Sequence, residues 1–475
     1  MKTKYLAAAC AVLCSAGAFA APLPTNTGVP AGLVTYYIAG ASAQAQAVSA
    51  VLPTAAFFAT PADVVKLTGG SVNDARFGMS NPAVTGGTSV PLLIVYRNSN
   101  GSGSGVRQLL AKGPTFSGTD ATRLANIAAI PNTDNSGLVT LVTCGALSGG
   151  PGTWTAACTS TQSRAPDIAL SDVATQELAG SFPTVGASYY SRSALVSVKN
   201  GLQGFGVAAN PAAYTALQRQ NADEGSLSAA CIGDPSIACQ PSIRKTDYAS
   251  LISAEGSIKN ALTLFNNAPG VVADEITVCR RTDVSGTQAS SNTYFLNNVC
   301  GTLGYQGAYN PLGAADSAPG TIVWNEGSGT GNAKACLNAT VASGASTAVG
   351  YRLGILSLEN VAAGADIWKF VKVDGVSPNN TYNGATTVAD AKQRQQFANG
   401  SYSYAYEMHS ATQPGTTGPI LAFAAALNVK LSDSTSSDLV GIAYSDIPGT
   451  WAGNSLTNKQ TRVVRNGNNC GNLLP

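Results

Sequence analysis

The chain has 475 residues, of which only 11% are charged and 51 are glycine, and this is length enough for two domains of ordinary size. Lys and Arg total 27 and Asp and Glu total 25, so there is no basic field of the kind that holds nucleic acid or an anionic membrane. Any affinity for an anion must therefore be local.

Lys2 and Lys4 open the chain, Tyr5 to Cys14 is a short apolar run, and Ala18-Phe19-Ala20 is a small-x-small site before Ala21. Residues 1–20 read as a secretory signal peptide cleaved after Ala20. Leu13 precedes Cys14, where a lipoprotein signal would carry a small residue. A soluble mature protein, periplasmic or secreted, is expected. No later run is long and apolar enough to span a membrane.

Eight cysteines remain beyond the signal: Cys144, Cys158, Cys231, Cys239, Cys279, Cys300, Cys336 and Cys470. An even number in an exported chain implies disulfides. Cys144 with Cys158 and Cys231 with Cys239 are expected to staple their own loops; the pairing of the other four stays open. There is no CxxC pair and one histidine, His409, so no metal site is expected.

Leu33 to Ala39 reads as a strand, Gly40-Ala41-Ser42 as a turn, and Ala43 to Val51 as a helix. Pro91 to Arg97 is a second apolar strand, followed by a Gly/Ser loop, Asn98 to Gly105, and a helix from Val106 to Lys112. Gly113 to Arg164 breaks the rhythm and reads as an insertion. Asp167 to Leu170 is a short strand ending at Ser171-Asp172. Strand, small-residue turn and helix recur, which implies parallel βαβ units with functional groups at the carboxyl ends of strands.

Leu202 to Ala208 resembles a strand entering a second domain, and Gln218 to Tyr248 reads as a second insertion. Ile276-Thr277-Val278 is β-prone and leads through Arg281-Thr282-Asp283-Val284-Ser285-Gly286-Thr287 into a helix at Gln288-Ala289-Ser290. An arginine fork beside the free N–H groups of a helical first turn makes an oxyanion grip. A second Gly-Ser-Gly-Thr, Gly327 to Thr330, follows Trp324 rather than Arg and reads as a turn or helix cap. Tyr351 to Leu358 and Trp368 to Val373 read as strands, the latter closed by Asp374-Gly375 and Pro378. Tyr402, Tyr404 and Tyr406 alternate and read as packing on one face of a strand. His409 reads as structural.

Four of these segments, in chain order, resemble periplasmic phosphate-binding proteins, the substrate-binding components of phosphate ABC transporters. They are Gly40-Ala41-Ser42, Gly101-Ser102-Gly103-Ser104-Gly105-Val106-Arg107-Gln108, Asp167-Ile168-Ala169-Leu170-Ser171-Asp172, and Arg281 to Thr287. Val284 departs from the family's glycine, and the two insertions add length.

The resemblance implies an α/β fold of the periplasmic-binding-protein type II class: two α/β domains with a hinge and a ligand cleft. Domain 1 would comprise 21–200 plus 350–475, and domain 2 residues 201–349. The implied phosphate ligands are Ser42, Ser102, Asp172, Arg281, Ser285, Gly286 and Thr287, with Asp283 orienting Arg281. Asp172 would accept a proton that phosphate carries and sulfate lacks. Each residue also has a plainer reading: Ser42 or Asp172 as helix caps, Ser102 in a linker, Arg281 on a surface turn.

The partners implied are inorganic phosphate and an ABC permease of the inner membrane, with no nucleic acid, no cofactor and a monomeric chain. A phosphatase-like enzyme is not expected, because no Gly-x-Ser-x-Gly, HExxH or P-loop is present. The remaining alternative is a secreted or surface protein that keeps the fold as a scaffold for adhesion, without a transport role.

Overall fold

The computed structural model describes residues 30–69, 73–98, 101–110, 139–164, 166–181, 195–298, 300, 309–312, 321–339, 349–378, 393–436, 438–444, 459–467 and 469–474. The expected signal peptide lies outside the described residues, as do 111 and 112 at the end of the expected helix and 113–138 of the first insertion.

The fold is mixed α/β. Its strands are β1 (Val34–Gly40), β2 (Val65–Gly69), β3 (Asp74–Met79), β4 (Pro91–Arg97), β5 (Val139–Ser148), β6 (Thr155–Arg164), β7 (Ile168–Ser171), β8 (Val196–Ala209), β9 (Ser242–Ile243), β10 (Ile276–Arg281), β11 (Ile322–Gly327), β12 (Tyr351–Ser357), β13 (Lys369–Phe370), β14 (Lys372–Val373), β15 (Ala405–Thr412) and β16 (Ile442–Ala443). The helices are α1 (Ala45–Val51), α2 (Gly101–Leu110), α3 (Pro211–Asp223), α4 (Lys245–Ile252), α5 (Ala261–Leu264), α6 (Gly286–Leu296), α7 (Thr330–Asn338), α8 (Gln395–Ala398) and α9 (Gly418–Ser432).

One sheet runs β11-β10-β12-β8-β15-β7-β1-β4-β3-β2-β6-β5. It has two parallel sections. In one, β1 pairs with β4 and β7; in the other, β10 pairs with β11 and β12. The long β8 joins them, since it runs antiparallel to β15 along its first part and to β12 along its last. The strand expected from Leu202 is thus longer and belongs to both sections. β1, β4 and β7 are apolar over nearly their whole length and buried, as parallel strands covered on both faces must be.

Two expected elements differ. Gly101 to Gly105 of the expected Gly/Ser loop are the first half of α2, which starts at Gly101 rather than Val106; residues 99 and 100 lie outside the described residues. Glycine is a poor helix former, but these glycines allow close approach. A methyl on Gly105 would sit 2.5 Å from the Ala39 carbonyl oxygen, and one on Gly103 2.6 Å from that of Val284. Tertiary packing overrides local propensity here. The expected strand Trp368 to Val373 is split into β13, which pairs with β8, and β14, which pairs with β9.

The first insertion's described residues form the hairpin β5–β6, joined to the sheet by β6 pairing with β2. The second is α-helical at its two ends, where α3 runs to Asp223 and α4 starts at Lys245, with two short 3-10 turns between them. Tyr402, Tyr404 and Tyr406 are all buried, but only Tyr406 lies within β15. Tyr404 stacks on Tyr294 at 4.4 Å between ring centroids, so the packing role holds. His409 is buried, shares a 2.9 Å hydrogen bond with Ser197 Oγ through Nδ1, and is pushed down to about 4 by burial.

The disulfides are Cys144–Cys158, Cys231–Cys239, Cys279–Cys336 and Cys300–Cys470. The last spans 170 residues, so in the chain-entropy picture its loss releases the largest loop of the four and costs about 5 kcal/mol. A Cys300→Ser/Cys470→Ser variant should therefore unfold at markedly lower urea concentration than a Cys231→Ser/Cys239→Ser variant. Equal midpoints would count against this.

Candidate functional site

The site is built where strands end. Parallel pairing aligns Ala39 with Arg97 and Gly40 with Leu170, so the carboxyl ends of β1, β4 and β7 lie side by side. Ser42 follows β1, Ser102 lies in the first turn of the helix after β4, and Asp172 follows β7. Ser42 opens a short 3-10 turn entered through Ala41, whose φ is +50°. That left-handed conformation is costly for alanine, and the surrounding contacts hold it.

Arg281 ends β10, and Ser285, Gly286 and Thr287 start α6. Ser285 occupies the N-cap position of α6 but makes no side-chain cap, which disposes of the plain capping role for its hydroxyl. The first-turn N–H groups of such a helix have no intrahelical acceptor.

The two sections meet at Gly286. A methyl group there would collide with Ser102 Oγ and lie 2.9 Å from Asp172 Cβ and 3.0 Å from Oδ2. The Gly103 N–H donates to the Val284 carbonyl at 2.6 Å, and a methyl on Gly101 would lie 3.6 Å from Arg281 Nη2. Ser102 Oγ accepts from the Asp172 N–H at 3.0 Å. Ser102, Asp172, Arg281 and Gly286 are thus gathered, with Ser285 and Thr287 buried beside them and Ser42 half-buried at the adjoining turn.

The cluster is buried and carries opposite charges. Asp172 is 1% exposed. Burial pushes it up to about 6, against the opposing pull of the Ser102 hydroxyl, the Arg281 guanidinium and the Ala43 amide. Burial lowers Arg281 to about 10 while Asp172 and Glu359 pull it back up, so it stays charged at neutral pH.

Four neighbours escaped the sequence reading as parts of the site. Glu359 sits just beyond β12, and burial together with the Asp172 charge holds it well above the carboxylate range. Arg107 of α2 is a second buried guanidinium, lowered to about 10 by burial and opposed by Asp283. The Ser328 carbonyl and Thr330 Oγ1 accept from Arg281 Nη2 and Nη1 at 2.7 and 3.0 Å. The Gly327 to Thr330 segment does precede a helix as expected, but it also holds Arg281. Only the register of β10 on β11, which pairs Arg281 with Gly327, could have revealed that.

Asp283 is a correction. It forms an ion pair with Arg280, whose side chain stacks over Trp324 at 4.1 Å. Successive strand residues point to opposite faces, so the pair lies on the other side of β10 from the Arg281 guanidinium. Among the described residues no group of three His, Cys, Asp or Glu could hold a metal ion, and no helix is long and apolar enough to cross a membrane.

No protein-family model matches the chain, and no curated protein matches it in sequence. Solved structures similar to it include a putative phosphate ABC transporter substrate-binding protein with bound phosphate from Clostridium perfringens. That one is 12% identical, covers 87% of this chain and 100% of its own, and has a TM-score of 0.39. A phosphate-binding protein from Stenotrophomonas maltophilia is 14% identical over 80% of this chain and 79% of its own, with a TM-score of 0.36. An ABC-type phosphate transport receptor from Vibrio cholerae is 11% identical over 83% and 93%, with a TM-score of 0.33.

Proposed function

We propose that the chain is an exported, non-enzymatic solute-binding protein. It would capture inorganic phosphate through Ser42, Ser102, Asp172, Arg281, Ser285, Gly286 and Thr287, and deliver it to an ABC permease. The observation that supports this most is the contact of Gly286 with Ser102 and Asp172. It joins three motif segments far apart in sequence around one buried arginine.

Phosphate leaving water needs many donors, because an unpaired buried anion is very costly. Arg281 supplies charge and a planar fork; the hydroxyls of Ser42, Ser102, Ser285 and Thr287 supply neutral donors; the first turn of α6 supplies N–H groups and the helix dipole. In the type II binding-protein arrangement, one domain would carry the parallel section of β1, β4 and β7 and the other that of β10, β11 and β12. The anion then bridges them and stabilises the closed state by contacts made only there.

Asp172 selects the anion. Above about pH 6 it is a carboxylate and can only accept. Hydrogen phosphate offers it a proton; sulfate offers only lone pairs and is repelled. Arsenate, with the same shape and protonation, should bind as phosphate does.

Asp172→Asn tests the reading in two ways. Asn donates as well as accepts, so sulfate should begin to compete with phosphate at neutral pH. In the wild type the same competition should appear only as pH falls below about 6. The ligand-free variant should also gain stability at pH 7. A folded-state pKa raised from 3.8 to about 6 contributes stability that is present below 3.8 and lost as pH rises through 6. The loss amounts to about 3 kcal/mol. Unchanged discrimination in a competition titration would sink the assignment of Asp172.

A further inference from the structure

Arg281 must be held still to grip an anion, because a free arginine side chain loses much rotamer entropy on binding. Asp283, the nearby acid in its own motif, pairs with Arg280 and acts on the Arg107 guanidinium. The groups that do hold the guanidinium come from another strand end. Thr330 Oγ1 accepts from Nη1 at 3.0 Å and the Ser328 carbonyl accepts from Nη2 at 2.7 Å. A guanidinium has five N–H donors. Two are taken here; Nε, one of the remaining three, is buried with no partner among the described residues.

This clamp is itself anchored. Gly327, the register partner of Arg281, accepts the Thr282 N–H through its carbonyl at 3.1 Å. The Asn332 side chain accepts the Gly329 N–H at 3.0 Å, which fixes the turn into α7. Near its other end, α7 is bonded to β10 by the Cys279–Cys336 disulfide, two residues before Arg281. The helix that presents Thr330 is thus tied covalently to the strand that presents Arg281.

We propose that Thr330, the first residue of a helix locked to β10 by Cys279–Cys336, and Ser328, in the turn that leads into that helix, position Arg281 for phosphate in the role expected of Asp283. The inference rests on the phosphate reading of the site, and Thr330 is a positioning residue that acts through Arg281.

The test compares Thr330→Val, Thr330→Ser, Asp283→Asn and Cys279→Ser/Cys336→Ser with the wild type in calorimetric titrations with inorganic phosphate. Thermal melts confirm that each folds. Thr330→Val removes the acceptor at nearly equal volume and should weaken phosphate binding about tenfold. Thr330→Ser should restore it, which a packing role for the methyl group would not allow. Asp283→Asn should weaken it less than Thr330→Val does and leave the Arg281 signal in place, and the cysteine pair should weaken it as Thr330→Val does. In the ligand-free protein, the nitrogen-15 side-chain signal of Arg281, assigned by its loss in Arg281→Lys, should shift and sharpen in Thr330→Val. Wild-type affinity in Thr330→Val, or an unchanged arginine signal, would overturn the proposal. A wild type that ignores phosphate while the arginine signal still responds would support the clamp and overturn the phosphate reading alone.

Discussion

Arg281→Ala should lower phosphate affinity about a thousandfold, or about 4 kcal/mol, the scale expected when one partner of a buried, hydrogen-bonded charge pair is removed. The guanidinium is 2% exposed, so water cannot replace it. Its loss also changes the acids around it. The Arg281 charge is one of the influences holding Asp172 and Glu359 down, so both should rise further when it goes. Asp172 would then be protonated over more of the neutral range and would lose its discrimination as well. Arg281→Lys keeps the charge and abandons the fork; it should recover part of the affinity and little of the geometry. Titration calorimetry on the two variants checks this, and an alanine variant within tenfold of wild type would remove Arg281 from the site.

Gly286→Ala should be nearly as damaging, although it adds only one methyl group. That group has no place to go: Ser102 Oγ blocks it, and Asp172 lies 2.9 to 3.0 Å away. Neither neighbour is a flexible chain end, since Ser102 is in the first turn of a buried helix and Asp172 closes a buried strand. The start of α6 must back away, carrying Ser285 and Thr287 with it. Overpacking costs of about 2–3 kcal/mol would then fall on the liganded state, giving on the order of a hundredfold weaker binding. Gly150→Ala, where the added methyl meets nothing within 4 Å, is the control and should bind as wild type. A Gly286→Ala protein of normal affinity would mean that the contact seen between the two sections is not the liganded geometry.

The parts of the site that chemistry alone marks were legible in the sequence. Arg281, Ser285, Gly286 and Thr287 stand together at a strand-to-helix turn, and Asp172 and Ser42 each follow a short apolar strand. The strands β1, β4, β7 and β12 were legible for the same reason, as runs of apolar residues closed by small ones. The Gly/Ser run at 101–105 was not. Its glycines look like linker, yet they are helical because Gly103 and Gly105 must approach Val284 and Ala39 closely.

What depends on register was hidden altogether. Thr330 reaches Arg281 only because β11 lies beside β10, and Glu359 reaches the site only because β12 lies on the other side. The partners of Cys279 and Cys300, 57 and 170 residues away in sequence, likewise follow from topology and not from spacing. The misassignment of Asp283 has a similar origin. Two adjacent arginines offer it equal proximity in sequence, and strand alternation decides between them.

The most direct measurement is calorimetric titration of the phosphate-stripped mature protein, first with phosphate and then with sulfate, at pH 7.5 and fixed ionic strength. The site described here predicts saturable phosphate binding at one site per chain and no heat from sulfate beyond dilution. Equal responses to both anions would contradict the role of Asp172, and no response to phosphate would contradict the central claim that these segments form a phosphate site.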